Sequence, residues 1–167
     1  ERTGRSGAVA RSTLYAMLQQ LDTDNLSVVT LEDPIEVEFP DVTQGQTNNR
    51  AGFAFASGLR AILRQDPDVI MVGEMRDAET ADIATKAALT GHLVLSSLHT
   101  ASAIETFVRL FDMGLERYVV ASALNGLLAQ RLVRRLCSEC RVEGPVDARS
   151  RPLVGEVEAI CHAVGCK

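Results

Sequence analysis

The sequence contains no tryptophan and few other aromatic residues, since aromatics make up 4% of its 167 residues. Proteins that bind single-stranded nucleic acid stack bases on aromatic side chains, so this scarcity argues against that class. The net charge of −5 at neutral pH also disfavours a protein that binds nucleic acid mainly through charge. We therefore expect no nucleic-acid partner.

Long apolar runs and a signal peptide are also missing from the sequence. No apolar run reaches the length of about 18 residues that a membrane-spanning helix needs. No basic segment followed by an apolar one opens the chain. The chain begins at Glu1 without a methionine and ends at Lys167 next to a cysteine, so we expect it to be part of a longer protein.

Short apolar runs alternate with segments of helical periodicity. Hydrophobic residues (46%) and charged residues (23%) are present in the proportions of a globular protein. The runs predict strands over Ser27–Leu31, Val69–Val72 and Leu93–Leu98, and the periodic segments predict helices over Arg11–Leu21, Phe53–Leu63, Ala78–Leu89, Ala101–Met113 and Tyr118–Leu136. The polar stretch Glu36–Gly52 is predicted as a loop or edge strand. This alternation predicts an α/β fold with a parallel sheet between helices.

Residues 137–167 differ from the rest, because they hold all four cysteines and have weak periodicity. We therefore predict a core over residues 1–136 and a small cysteine-containing appendage over residues 137–167.

Charged or polar residues follow each of the three predicted strands. Glu32 and Asp33 follow the first, Glu74 follows the second, and His99 follows the third. Ligands of parallel α/β sheets bind beyond the carboxyl ends of the strands. Two acids and an imidazole at neighbouring strand ends could hold a metal–phosphate group and orient a water. The alternative is that polar residues simply terminate strands, which explains one such end more easily than three.

These segments resemble the motifs of the ATPases of type II secretion and type IV pilus assembly. Leu31–Glu36 is similar to the family's Asp box, Leu63–Asp77 to its Walker B segment, and Thr90–Thr100 to its His box. Ala129–Cys137, followed by Cys140, resembles the approach to its tetracysteine motif, which points to the assembly branch rather than the retraction branch. The resemblance implies a P-loop NTPase core of the RecA type.

The resemblance also implies roles for individual residues. ATP hydrolysis requires neutralised phosphate charge, a placed Mg²⁺ and a positioned water. Glu74 would act on Mg²⁺ and its water shell, and Glu32 would orient or deprotonate the attacking water. His92 and His99 would contact the γ-phosphate region. Arg60 and Arg64 are candidates for stabilising charge, because a guanidinium is always charged and binds phosphate in a bidentate manner. The alternative is that both lie on a solvated helix face.

The Walker A motif is where the sequence departs from the family. A phosphate loop needs glycines, a lysine for the β- and γ-phosphates, and a Ser or Thr for Mg²⁺. Gly4–Tyr15 stands in its place, but the only lysines of the chain are Lys86 and Lys167. Without a gap, Ala10 takes the lysine position. With a gap, Arg11 takes it and a serine follows. The resulting candidates for nucleotide binding are Gly4, Gly7, Arg11, Ser12 and Thr13, together with Asp33.

Three explanations for the missing lysine stay open. The protein is a degenerate subunit with weak or no turnover, or Arg11 replaces the lysine, although a planar guanidinium is not a compact ammonium. The third is an error in the sequence at this point. Codons for Ala8–Arg11 can encode Ser-Gly-Lys in another reading frame, so a pair of compensating frame slips would restore a normal loop.

The cysteines suggest structural zinc. Cys137 and Cys140 have the two-residue spacing of zinc ligands, and Cys161 and Cys166 follow about twenty residues later. By resemblance, Cys166 begins the second half of the tetracysteine motif. Cys161 or His162 could supply a further ligand. A disulfide framework is the alternative, but the resemblance implies a reducing cytosol.

The resemblance implies a motor subunit that assembles as a hexamer and uses ATP, Mg²⁺ and structural Zn²⁺. We expect it in the cytoplasm, peripheral to the inner membrane, in contact with an inner-membrane platform and cytoplasmic docking proteins. The alternative is a catalytically impaired regulatory or scaffolding subunit of the same system. A Rossmann-type redox protein is rejected, because no Gly-x-Gly-x-x-Gly follows a predicted strand. We expect the isolated chain to hydrolyse little ATP.

Overall fold

A computed structural model of the chain describes the backbone of residues 5–166 and the side chains of residues 10–166. Two compact units can be distinguished, Glu1–Arg131 and Leu132–Lys167. The predicted division into a nucleotide-binding core (1–136) and a zinc-binding region (137–167) stays a prediction.

The first unit contains a four-stranded parallel sheet. Its strands are β1 (Val28–Glu32), β2 (Thr43–Gln46), β3 (Val69–Val72) and β4 (Leu93–Ser96), in the spatial order β2-β1-β3-β4. Every residue of β1 and β3 is buried, as expected for apolar strands covered on both faces. The predicted parallel sheet is therefore confirmed. The polar strand β2 forms one edge of it.

Helices cover both faces of this sheet. They are α1 (Arg5–Leu18), α2 (Phe55–Ile62), α3 (Ala78–Leu89), α4 (Ala103–Asp112) and α5 (Arg117–Ala123). Because side chains alternate along a strand, Val29 and Leu31 of β1 pack with α2 and α3, whereas Val28 packs with α1. Single 3-10 turns occur at Asn49–Ala51 and Leu63–Gln65.

Several predicted boundaries differ from the structure, most of them by one or two residues. The first helix spans Arg5–Leu18 rather than Arg11–Leu21, and β4 ends at Ser96 rather than Leu98. The helix predicted over Tyr118–Leu136 ends at Ala123. Leu128 lies beyond that end, and 72% of its surface is exposed. This residue of the predicted apolar helix face therefore buries little surface in the first unit. A helical period without a surface to pack on contributes little stability.

The second unit is a small hairpin with a short helix. Strands β5 (Arg141–Pro145) and β6 (Ala159–Ala163) pair antiparallel, and α6 (Arg151–Val154) lies between them in sequence. Across the part of the chain that the structure describes, no helix is both long and apolar enough to cross a membrane.

Candidate functional site

The carboxyl ends of three neighbouring strands are joined by one network of charged side chains. Glu74 follows β3, and its Oε2 lies 2.8 Å from Nε2 of His99, which follows β4. Its Oε1 accepts a hydrogen bond from the guanidinium of Arg76. The same guanidinium lies 3.7 Å from Oδ2 of Asp33, which follows β1. The structure thus brings Asp33, Glu74 and His99 together at the carboxyl ends of the strands, and their functional roles stay predictions.

Backbone hydrogen bonds hold these strand ends in register. The amide of Gly73 donates to the carbonyl of Leu31 at 2.8 Å, and the amide of Met75 donates to the carbonyl of Ser97 at 3.0 Å. The Ser97 hydroxyl donates back to the Gly73 carbonyl at 2.7 Å. The parallel pairing therefore continues past the strands and fixes the spacing of the side chains that follow.

Glu74 is ionised in this network. Its side chain is only 7% exposed, and burial alone would raise its pKa. The hydrogen bond from Arg76 outweighs that effect and, together with His99, lowers the pKa of Glu74 below its ordinary value of 4.5. Arg76 and His99 are 55% and 69% exposed, so both can reach a ligand from solvent. A buried carboxylate with accessible cationic and imidazole neighbours suits a site for a metal–phosphate group.

Glu32 lies in a separate set of hydrogen bonds beneath α1. The residue is 1% exposed. Its Oε2 accepts from the Tyr15 hydroxyl, and its Oε1 accepts from Thr30 Oγ1 at 2.6 Å and from Gln44 Nε2 at 3.0 Å. Protein donors therefore bind both carboxylate oxygens, and the predicted role of Glu32 toward water stays a prediction.

His92 does not join His99. It directly precedes β4, whereas His99 follows β4, so the two histidines lie at opposite ends of this strand. Nδ1 of His92 lies 2.9 Å from the Ala87 carbonyl and 3.2 Å from Thr90 Oγ1 at the end of α3. Within this chain, His92 is thus placed apart from the network around Glu74.

The two predicted arginines lie on the α2 side of the first unit. Arg60 is exposed on α2 and forms an ion pair with Glu79 in the first turn of α3. Arg64 is exposed in the 3-10 turn that leads toward the amino end of β3. The structure thus does not bring them together with Glu74, and their charge-stabilising roles stay predictions.

The predicted Walker A residues fall at the start of the chain. Gly4 lies outside the described residues, and Gly7 and Ser12 lie within α1. The Arg11 guanidinium forms an ion pair with Glu36. Thr13 Oγ1 donates to Oε1 of Gln130 at 2.9 Å. Arg11 is therefore engaged by a carboxylate in this structure.

Three of the four cysteines lie together in the second unit. The sulfur atoms of Cys137, Cys140 and Cys166 all lie within 4.8 Å of one another. Backbone hydrogen bonds from Arg141 to Cys137 and from Val164 to Cys140 bring the Cys137–Cys140 turn beside the end of β6.

The cluster has the chemistry of a zinc site. A hydrogen bond from the Glu139 backbone, followed by one from Cys166, lowers the pKa of Cys137 to about 7. The thiolate is the form that binds metal, so three neighbouring sulfurs fit Zn²⁺.

Cys161 is not part of this cluster among the described residues. It lies within β6, in register with Glu143 of β5. His162 of the same strand has its Nε2 3.2 Å from the Pro145 carbonyl. The predicted set of four cysteines is thus brought together for Cys137, Cys140 and Cys166 but not for Cys161.

The model of the family described as type II/IV secretion system protein matches residues 3–167, which is nearly the whole chain. The chain belongs to this family. The predicted resemblance is confirmed.

Among curated members of the family, the type II secretion system ATPase E of Vibrio cholerae is 49% identical over 98% of this chain. The type II secretion system protein E of Pectobacterium carotovorum is 54% identical, also over 98%. The type IV pilus assembly ATPase PilB of Thermus thermophilus is 49% identical over 94%. The chain spans only 33% of each of the first two relatives and 18% of PilB.

Solved structures of related ATPases confirm the fold. The pilus retraction motor PilT with bound ADP is 33% identical, has a TM-score of 0.62, and is matched over 90% of this chain and 40% of its own. The Legionella pneumophila ATPase DotB is 38% identical with a TM-score of 0.54, over 71% of this chain and 34% of its own. The predicted P-loop ATPase fold, with a parallel sheet between helices, is therefore confirmed.

The residues at the strand ends fit the cation that an ATPase of this family uses. The Arg76 guanidinium lies between the carboxylates of Glu74 and Asp33, so this position already stabilises a positive charge. Carboxylate oxygens are ligands that Mg²⁺ prefers. Glu74 and Asp33 are the residues of this chain that would hold Mg²⁺ or its water shell.

Sequence reasoning missed Arg76 and the donors to Glu32. Arg76 follows Glu74 by two residues in an extended segment, where alternate side chains share a side. That spacing could have identified it. Tyr15 and Gln44 come from α1 and β2, and no local pattern links them to a glutamate on β1.

Proposed function

We propose that this chain is part of an ATP-binding and ATP-hydrolysing motor subunit that powers type II protein secretion or type IV pilus assembly. The observation that carries the proposal is the network of Asp33, Arg76, Glu74 and His99 at three adjoining strand ends. Family membership and the fold of related ATPases support it.

Each of these residues has a separate role in the proposed hydrolysis. When bound, Mg²⁺ neutralises charge on the β- and γ-phosphates. Glu74, kept ionised by Arg76 and His99, would hold the cation and its water shell with Asp33. His99 would contact the γ-phosphate region, and Glu32 would orient or deprotonate the attacking water. The proposed contact of His92 with the γ-phosphate region, and the proposed charge stabilisation by Arg60 and Arg64, would have to act in a neighbouring subunit. Within this chain the three residues lie apart from Glu74.

The finer parts of the proposal concern assembly and location. The subunit forms a hexamer in the cytoplasm, peripheral to the inner membrane. It docks on an inner-membrane platform and on cytoplasmic proteins of the secretion or pilus system. Zn²⁺ bound by Cys137, Cys140 and Cys166 stabilises the second unit, which the clustered sulfurs support.

A second candidate function is a catalytically impaired regulatory or scaffolding subunit of the same system. The chain has no lysine at the Walker A position, and the replacing Arg11 is paired with Glu36. A guanidinium held by a carboxylate is a poor substitute for a phosphate-binding ammonium.

One experiment separates the two functions. Mg-ATP binding and hydrolysis are measured with the full-length protein that contains this chain, after its gene has been resequenced across residues 1–15. We expect Glu74→Gln to lower turnover by about 10²-fold or more while ATP still binds.

Asp82→Asn is the matched control, because it makes the same acid-to-amide change at an exposed residue of α3. Wild-type turnover in Glu74→Gln would refute the role of Glu74. Binding without turnover in the verified wild type would establish the impaired subunit. Absence of both would refute the proposed function.

A further inference from the structure

The buried carboxylate of Glu32 is hydrogen-bonded to α1. One of its oxygens accepts from the Tyr15 hydroxyl on that helix. The other accepts from Thr30, its neighbour on β1, and from Gln44 on the edge strand β2. Tyr15 is therefore the one of these three donors that does not belong to the sheet. A shift of α1 relative to the sheet would act on Glu32 through this hydroxyl.

The same helix contacts the segment that follows Glu32. The Tyr15 hydroxyl accepts a hydrogen bond from the Glu36 amide at 3.2 Å, and Arg11 pairs with the Glu36 carboxylate. Arg11 and Tyr15 are four residues apart and thus share one face of α1. This face therefore binds the segment 32–36 at both of its ends.

Packing holds Tyr15 in this position. The residue is buried with Leu14 and Leu18 against the sheet, and its ring centroid lies 5.4 Å from that of Phe39 at an interplanar angle of 49°. Burial and the neighbouring Glu32 carboxylate raise the pKa of Tyr15 above its ordinary value of 10.0. The phenol therefore keeps its proton at neutral pH and serves as a donor in a fixed place.

We infer that Tyr15 is a positioning residue for Glu32. The helix that follows the predicted nucleotide-binding segment sets the orientation of the carboxylate through the Tyr15 hydroxyl. This inference rests on the proposed function, because orientation of Glu32 matters only if Glu32 acts on a water. Thr30 and Gln44 fix the carboxylate from the sheet side, and Tyr15 fixes it from the helix side.

The contact is tested first without nucleotide or turnover. In the full-length protein, the difference between the Raman spectra of the wild type and of Tyr15→Phe isolates the contribution of Tyr15 to the tyrosine doublet. This contribution reports whether the Tyr15 phenol donates a strong hydrogen bond. We expect a strong-donor signature that weakens when Glu32→Gln is added. A doublet that Glu32→Gln leaves unchanged would overturn the inference.

The consequence is tested by kinetics in the full-length protein. Tyr15→Phe removes only the hydroxyl, and misplacement of a catalytic group by about 1 Å can cost about 10²-fold in rate. We expect kcat to fall by about 10- to 100-fold with the KM for ATP unchanged. Tyr118→Phe is the matched control, because Tyr118 is 67% exposed on α5. Its kcat should equal that of the wild type.

The outcomes distinguish the positioning role of Tyr15 from the proposed ATPase function. A normal kcat in Tyr15→Phe would overturn the positioning role. A lower kcat accompanied by a higher KM and by loss of folded protein in circular dichroism would overturn it as well. If the wild type neither binds nor hydrolyses ATP, the proposed function fails. The Raman comparison then decides the contact between Tyr15 and Glu32 by itself.

Discussion

Arg76→Gln tests the charge network at the strand ends most directly. The substitution removes the guanidinium that bonds to Glu74 and lies near Asp33. Breaking a fully buried ion pair costs about 3–5 kcal/mol, whereas an exposed pair contributes about 0–1 kcal/mol. Glu74 is buried, but Arg76 is 55% exposed, so solvent screens part of the interaction. We expect the free energy of unfolding to fall by about 1–2 kcal/mol at neutral pH.

The pH dependence of this loss has a definite sign. The pKa of Glu74 is depressed in the folded protein, and Arg76 is the main cause. The resulting stability is present above the ordinary pKa of 4.5 and is lost as the pH falls through the depressed value. In Arg76→Gln the depression is smaller. The difference in unfolding free energy between wild type and variant should therefore shrink in acid.

The assay is urea denaturation followed by circular dichroism at pH 7 and at several values below pH 4.5, for wild type, Arg76→Gln and Lys86→Gln. The last variant removes the same charge from an exposed pair with Asp82, so we expect about 0.5 kcal/mol or less. Arg76→Gln as stable as Lys86→Gln at pH 7 would refute the reasoning. So would a difference that stays constant through the acid range.

Two further predictions concern packing and metal binding. Gly58→Ala should lower the free energy of unfolding by about 1–3 kcal/mol in the same assay, because the added Cβ would lie 2.8 Å from the buried side chain of Leu31. Gly126→Ala is the control, because its added Cβ meets nothing within 4 Å, and it should leave the free energy of unfolding unchanged. Cys137→Ser should weaken zinc binding measured by competition with a chromogenic chelator, whereas Cys161→Ser should retain it, and equal losses in both would contradict the three-cysteine cluster.

The sequence predicted a strand and the candidate residues beside it where a short apolar segment is followed closely by charged side chains. Val69–Val72 is apolar throughout and forms β3 with the predicted bounds. Glu74 lies two residues past the end of β3, and parallel pairing then brings Asp33 and His99 to the same end of the sheet. Local sequence was sufficient here because the candidate side chains come just after the strand ends in sequence.

Other elements depend on contacts that no local pattern contains. Thr43–Gln46 is polar, and it becomes β2 because its backbone pairs with β1 rather than because it buries side chains. The helical period beyond Ala123 predicted a longer helix, but the side chain of Leu128 stays exposed and does not pack in the core of the first unit. Cys161 was a candidate ligand, although its four-residue gap to Cys166 is looser than the usual zinc spacing, and its place within β6 separates it from the other cysteines.

The parallel order of the sheet has a consequence for folding kinetics. Val28 pairs with Val69 and Val69 with Leu93, so strand neighbours are separated by long intervening segments that include a helix. Contacts of such high order form slowly, because loop closure is unfavourable before pairing compensates for it. Glu74 and His99 meet only after β3 and β4 have paired. The network at the strand ends therefore depends on this long-range pairing, and a chain with all its helices formed but β3 and β4 unpaired would lack it.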